Sequence, residues 1–307
     1  MDSNVWKRIQ HRIEYAVMRG FMILVWLVSL RTALLMADCL GLLAFRCVRV
    51  RRKVVLANLR RAFPEKSSKE IFLIARRTYQ NFIKLVFEFV RFPLLDGKMV
   101  SSLCSAKGLE HLDWALERGK GAILLGGHFG NWELFCAALG QWGYPLSLLV
   151  QRQNNAYVDE LITAHRRVTG NRIIGRGVAV RGVIKALRNN EFVILLADQD
   201  AGRDGIFVDF LGIPTSGHQG PAVLSLKTGA PIIFFTPVRL PRGRHRFAFK
   251  RLTFDHLSGA TPENIREVTQ AHALYLERMI RAYPDHWFWM HRRWKSSPVN
   301  DSIVSNS

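Results

Sequence analysis

Acidic residues are scarce in this chain. Asp and Glu number 24 against 44 Lys and Arg, a net charge of +20 over 307 residues. That imbalance needs an anionic partner or surface, and nucleic acid, anionic lipid headgroups and acidic proteins all qualify. Cysteine is scarce too. Cys39, Cys47, Cys104 and Cys136 are widely spaced and form no Cys-x-x-Cys pair, the usage of separate reduced thiols in a cytoplasmic environment. No Gly-x-Ser-x-Gly elbow, His-Glu-x-x-His, Walker loop or Gly-x-Gly-x-x-Gly occurs, which argues against a serine hydrolase, a zincin, an NTPase and a dinucleotide enzyme. Internal repeats, low-complexity linkers and a cleavable signal peptide are also missing.

What is present is a chain that is 49% hydrophobic, long enough for one sizeable α/β domain with appendages. Residues 1–20 are polar and basic. Residues 21–45 are almost wholly apolar, interrupted by Arg31 and Asp38. A charge at mid-bilayer costs about 3 kcal/mol, whereas two charges seven residues apart lie along one side of an interfacial helix. The expectation is therefore membrane attachment, with spanning left open. Residues 51–66 read as a short basic amphipathic helix ended by Pro64, next to the anchoring segment and suited to anionic lipid. Ser67 or Ser68 opens a helix running to about residue 92.

From residue 107 helix and strand patterns alternate, which predicts a mostly parallel central sheet flanked by helices. Strands are expected at 122–125, 146–150, 192–197 and 232–238, with 247–254 as an alternating edge strand. Helices are expected at 109–118, from 132, and at 157–168, 178–188, 221–228 and 264–282. The division is a membrane-associated segment over 1–50, a helical region over 51–106, an α/β domain over 107–295 and a frayed tail over 296–307.

The richest stretch is Lys120-Gly-Ala-Ile-Leu-Leu-Gly-Gly-His-Phe-Gly-Asn-Trp-Glu133. A short buried strand runs into a glycine loop, and Asn131 is suited to cap the following helix. Five residues along a helix turn through about 500°, roughly 140° off one face, so His128 and Glu133 would meet only if His128 lies in the loop. A carboxylate on one imidazole nitrogen fixes the tautomer and frees the other nitrogen to accept a proton from a hydroxyl. Taken alone, the spacing also suits a glycine-rich turn with a surface histidine.

Three further stretches hold polar side chains where chemistry occurs. Arg152 follows a strand end, where open α/β sheets place ligands, and can bind a phosphate or a thioester oxygen. Asp198 and Asp200 follow another strand, in a glycine-rich loop, and are candidate partners for His128 beside Glu133 or in its place. No histidine or further carboxylate is placed to complete a metal site there. The segment His286-Trp-Phe-Trp-Met-His-Arg-Arg-Trp-Lys295 interleaves aromatics with arginines, which suits single-stranded nucleic acid, a bilayer interface or a lid.

His128-Phe-Gly-Asn-Trp-Glu133 resembles the His-x4-Asp/Glu block of the lysophospholipid acyltransferase superfamily, and most of all its lipid A lauroyl/myristoyl acyltransferase branch. Asn58-Leu59 with Phe63-Pro64, the Tyr79, Asn81 and Glu88 set, Arg152, Asp198-Gln-Asp200, Phe207 to Thr215 and His291-Arg-Arg-Trp-Lys295 resemble the same family in the same order. The resemblance implies a glycerolipid acyltransferase-like α/β fold and transfer of a fatty acyl chain from acyl carrier protein or coenzyme A to a hydroxyl of a phosphorylated glycolipid. The acyl donor is then a co-substrate, with no other cofactor, no metal and no nucleic acid. It further implies work at the inner membrane from the cytoplasmic side. His128 is the expected general base and Glu133 its expected partner; Gly127, Asn131, Arg152, Asp198 and Asp200 are the expected substrate-binding residues. Another glycolipid, such as a mannosylated phosphoinositide, or a lysophospholipid is the alternative acceptor. From another class, a basic nucleic-acid-binding protein remains the alternative.

Overall fold

A computed structural model of the chain describes residues 3–175 and 179–297. Its centre is β2 (Ala122–Gly126), five residues that are all buried. Such a continuous apolar run suits a strand covered on both faces. Ile123 and Leu125 point to one face, packing with Val183 and Leu187 of α9 (Ala179–Arg188) and with Ile265 and Val268 of α11 (Pro262–Ala282). Ala122 and Leu124 point to the other, under Phe135 and Ala138 of α7 (Trp132–Gln141).

Around β2 the sheet has seven strands. β5 (Phe192–Leu196), β3 (Leu146–Val150) and β4 (Arg172–Gly175) follow in parallel on one side. On the other side lies β8 (Ile232–Arg239), parallel to β2, then β9 (His245–Leu252), which returns antiparallel through a five-residue turn. β1 (Cys104–Lys107) closes that edge alongside β9. The expectation of a mostly parallel sheet flanked by helices is met.

Several expectations need correction. β9 is an interior strand between β8 and β1, and the short, polar β1 that covers it gives no hydrophobic pattern of its own. The stretch 207–215, noted in the sequence only for its family resemblance, lies in a hairpin of β6 (Ile206–Phe210) and β7 (Ile213–Gly217). Leu211 and Gly212 at its tip both have positive φ, the geometry of a tight two-residue turn. The apolar run at 21–45 is not one helix. It belongs to α1 (Ser3–Trp26) and α2 (Leu30–Leu43), broken where Ser29 caps the second through the Thr32 amide. Among the described residues no helix is long and apolar enough to cross a membrane. Of the expected elements, Val178 and the tail from residue 298 lie outside the described residues.

The N-terminal helices pack on α4 (Ser68–Val90), which begins in a capping box between Ser67 and Glu70. Met22, Val25, Ala33 and Ala37 bury against Phe87 and Val90. Trp26 donates its indole N–H to the Val90 carbonyl, and Arg91 reaches back to the carbonyls of Val25 and Val28. Between α2 and α4 lies α3 (Arg52–Ala62), the basic amphipathic helix expected before Pro64.

Phe135 fills the space between α7 and the sheet, stacked on Phe235 at 4.1 Å and edge-on to Phe247 at 5.4 Å. Phe135→Ala should therefore cost about 3–5 kcal/mol, read as a lowered denaturation midpoint without change in the slope.

Candidate active site

The site is set by register. β2 and β5 run parallel with Gly126 opposite Leu196. The second residue beyond each strand end is therefore carried to the same level, and these residues are His128 and Asp198. Both lie at the carboxyl ends of central parallel strands, where α/β sheets bind ligands. The His128 Nδ1 stands 2.7 Å from Asp198 Oδ1, and the His128 amide donates to Oδ2 at 2.8 Å. Trp287 donates its indole N–H to the same oxygen at 2.7 Å. An ionised carboxylate only accepts, so Nδ1 carries the proton and Nε2 is left as the basic nitrogen. Nε2 has no protein partner among the described residues.

The two side chains differ in access. Asp198 is 2% exposed and His128 24%. The imidazole is walled by Trp132 at 5.1 Å and Phe288 at 6.3 Å between ring centres. Burial works against the imidazolium, but the charge and hydrogen bond of Asp198 outweigh it, helped through space by Glu133, and raise the His128 pKa above its ordinary 6.5. For Asp198, burial opposes the charge. The imidazole and the three donors hold its carboxyl well below the usual range.

Glu133 does not meet the imidazole, contrary to expectation. It lies in the first turn of α7 and takes a two-pronged contact from Arg166, at 3.0 Å from Nε and 2.6 Å from the terminal nitrogen. Arg166 belongs to α8 (Ala156–Arg167), and its guanidinium also lies over the Phe89 ring. A helix-start acid points along its own helix, so the nearby cation of a packed helix captures it, and the loop turns His128 toward the sheet instead.

Asn131 is not available to substrate. It is fully buried; its Oδ1 accepts the Leu134 amide at 2.9 Å and its amide nitrogen donates to Glu88 at 2.5 Å. Glu88, on α4, also takes both Arg239 nitrogens at 2.6 Å and the His245 Nε2 at 3.2 Å. The cap that follows the His128 loop is thus bolted to the N-terminal layer. Gly127 lies against Asp198: a Cβ there would come within 3.0 Å of its carboxylate. Gly130, at φ +56, passes so near the Pro237 carbonyl that a Cβ would stand 1.7 Å from it, so only glycine fits.

Asp200 is engaged elsewhere, accepting the Ser296 hydroxyl at 2.9 Å and the Gly202 amide at 3.3 Å. Arg152 is exposed beyond the end of β3. It follows β3 on the same carboxyl edge of the sheet as Asp198 after β5.

Sequence reasoning missed the roles of three residues. Residues 286–288 run beside the loop as a strap, with the Gly130 amide on the His286 carbonyl and the Phe288 amide on the His128 carbonyl, and this delivers Trp287. Arg293, 3% exposed, donates to the carbonyls of Gln199 and Ser216 and so holds the loop after Asp198. His272 lies against the Gly126 carbonyl at 3.2 Å, its pKa pushed down by burial to about 4. The aromatic-basic pattern of 286–295 was the only signal for the first two. Among the described residues no three His, Cys, Asp or Glu side chains converge as a metal site would need.

Fold and site together define an α/β enzyme with a histidine–aspartate pair at the carboxyl edge of its sheet. The chain belongs to the bacterial lipid A biosynthesis acyltransferase family, whose profile matches residues 6–296, and is an enzyme that transfers acyl groups. It is 25% identical over 267 residues to the lipid A biosynthesis palmitoleoyltransferase of Escherichia coli K12, covering 86% of this chain and 85% of that one. With the lipid A biosynthesis lauroyltransferase of the same organism it shares 26% identity over 262 residues, 84% of each chain. With the phosphatidylinositol mannoside acyltransferase of Mycobacterium tuberculosis H37Rv it shares 30% over 192 residues, 61% of this chain and 58% of that one.

Removing one member of a buried ion pair leaves the other charge uncompensated, so Glu88→Ala should cost about 3–5 kcal/mol in chemical denaturation. Burial opposes the Glu88 charge, yet Arg239 and His245 hold its pKa below the ordinary 4.5. A depressed carboxyl stabilises the fold above that value and loses its contribution as pH falls below it. Acidification through that range should weaken the wild type more than Glu88→Gln.

Proposed function

We propose that this protein moves a fatty acyl chain from an acyl thioester, carried by acyl carrier protein or coenzyme A, to a hydroxyl of a lipid A precursor. The observation that supports this is the oriented imidazole: Asp198 fixes Nδ1–H, and Nε2 is left at a half-open mouth walled by aromatics. Nε2 takes the proton of the acceptor hydroxyl as its oxygen attacks the thioester carbonyl. The tetrahedral intermediate collapses with loss of the thiolate, which recovers the proton from the imidazolium. No acyl-enzyme is formed.

The oxyanion needs a donor. The amides of His128, Phe129 and Gly130 are engaged by Asp198, Gly127 and His286, so the loop itself does not supply it from these positions. Arg152, exposed just beyond β3 on the same edge of the sheet, is the candidate for the oxyanion or an acceptor phosphate. Glu133 adds through-space charge to the imidazolium and joins α7 to α8 through Arg166, while orientation of the ring falls to Asp198.

Work at the inner membrane, from the cytoplasmic side, is part of the same reading. Leu24 and Leu27 at the end of α1, and Leu35 and Leu43 on α2, are large aliphatics at least half exposed to solvent, Ile23 and Leu40 a little less. An apolar face of this kind suits a helix lying in the bilayer surface. The net charge of +20 suits an acidic carrier and anionic lipids. A mannosylated phosphoinositide as acceptor is the second reading, favoured by the 30% identity to the mycobacterial enzyme. Mass spectrometry of lipids from cells with and without the protein separates the two by which molecule gains one acyl chain.

His128→Ala should lower transfer by about 10²–10⁴-fold; near-normal activity would refute the base assignment. Since Asp198 raises the His128 pKa, transfer in the wild type should fall as pH drops through a midpoint above 6.5. Asp198→Asn removes that charge and should move the midpoint downward as well as reduce the plateau. An unmoved midpoint would assign the titration to another group.

A further inference from the structure

The turn between α2 and α3 holds more positive charge than the fold uses. Arg49 and Arg51 both adopt left-handed backbone, φ 60 and 53, on either side of Val50, a conformation that side chains with a Cβ rarely take. The turn is nevertheless tightly held. Tyr79 donates its hydroxyl to the Val50 carbonyl. Arg51 donates to the Met290 carbonyl at 3.1 Å, and the Arg52 guanidinium lies over Phe45 at 4.7 Å. The result is a concave pocket of about 500 Å³ lined by Arg49, Arg51, Arg52, Lys53, Val54 and Leu56. The ion pairs among the described residues involve other cations, and no described carboxylate pairs with any of these four.

Exposed aliphatics alternate in the chain with the arginines of the pocket. Val48 and Val50 are 62% and 58% exposed, and they continue in the chain from the exposed Leu40 and Leu43 of α2. Converging cations beside exposed aliphatics match the boundary between lipid headgroups and acyl chains. A single-stranded nucleic acid would call for exposed rings to stack on. Of the rings here, Phe45 and Tyr79 are buried under the turn and Phe72, the one that is exposed, already carries the Arg52 guanidinium at 5.4 Å.

We propose that this pocket binds the phosphoryl group of an anionic phospholipid headgroup at the bilayer surface. The proposal rests on the membrane part of the functional reading and extends it to a defined site. It also gives the turn's strain a use. Arg51 holds Met290, and two residues earlier Phe288 holds the His128 carbonyl, at most about 7 Å along the chain. A headgroup seated among these arginines sets the height of the imidazole above the leaflet.

The test is flotation of the full chain with vesicles of phosphatidylcholine alone, or of phosphatidylcholine mixed with phosphatidylglycerol. The wild type should prefer the mixed vesicles. Each cation near an anionic surface contributes about fivefold to partitioning, so Arg49→Gln with Lys53→Gln should weaken binding to the mixed vesicles roughly 30-fold, while binding to phosphatidylcholine stays unchanged. The charge-preserving pair, Arg49→Lys with Lys53→Arg, should bind like the wild type. The pair Lys185→Gln with Arg188→Gln, which removes the same charge from exposed positions of α9, should also bind like the wild type. Equal binding to both vesicle types would overturn the proposal, as would an undiminished glutamine pair. An equal loss in the α9 pair would show diffuse attraction in place of a site, and an equal loss in the charge-preserving pair would show that charge is not what is read. Acyl transfer is measured separately, with the glycolipid in neutral detergent. Expected partitioning without transfer sinks the functional reading alone, and transfer without the lipid preference sinks only the pocket.

Discussion

A short, dry contact between one carboxylate and one imidazole organises this molecule. It exists because two parallel strands end in step, and a shift of one residue between β2 and β5 would turn each side chain to the opposite face. Asp198 is held by three donors: the ring, the backbone of the same histidine and the indole of Trp287. With three donors on its two oxygens, the carboxylate has little freedom to rotate, and the ring inherits that rigidity. In the proposed role of base, a ring aimed in advance needs little rearrangement when substrate arrives.

Around that contact the protein spends its buried charge on position. Glu88 ties Asn131, Arg239 and His245 into one node, although they come from α4, the loop before α7, β8 and β9. The His286 imidazole accepts the Arg239 amide, and its carbonyl takes the Gly130 amide. Gly130 passes under Pro237 with no room for a side chain. The loop carrying the histidine is thus fixed from below by the sheet, from one flank by α4 and from above by the strap at 286–288.

The sheet was legible because buried parallel strands leave an unmistakable apolar run, as at 122–125 and 192–197, and the long helices because their caps are explicit. Strand order was not. Without it the choice among Glu133, Asp198 and Asp200 could not be made, since each lies within a loop's reach of His128 on paper and only adjacency of β2 and β5 decides. Asn131 was read correctly as a cap but wrongly as substrate-facing, because its second partner, Glu88, is 43 residues away. Arg166 sits in a cluster of surface-like arginines, and nothing local distinguishes the one that turns inward. β1 and β4 escaped notice because short edge strands need not be apolar. The break at Ser29 was masked by the strength of the apolar signal on either side of it.

The way α1 and α2 lie on α4 has a bearing on how the protein can be handled. Phe87 and Val90 are covered by Met22, Val25, Ala33 and Ala37, and Phe87 is one residue from the glutamate that braces the loop. A chain shortened to begin after residue 50 would bare that greasy patch and loosen the very helix on which the histidine's scaffold leans. The leading helices are masonry, and trimming them for solubility would exchange one sticky surface for another nearer the histidine–aspartate pair.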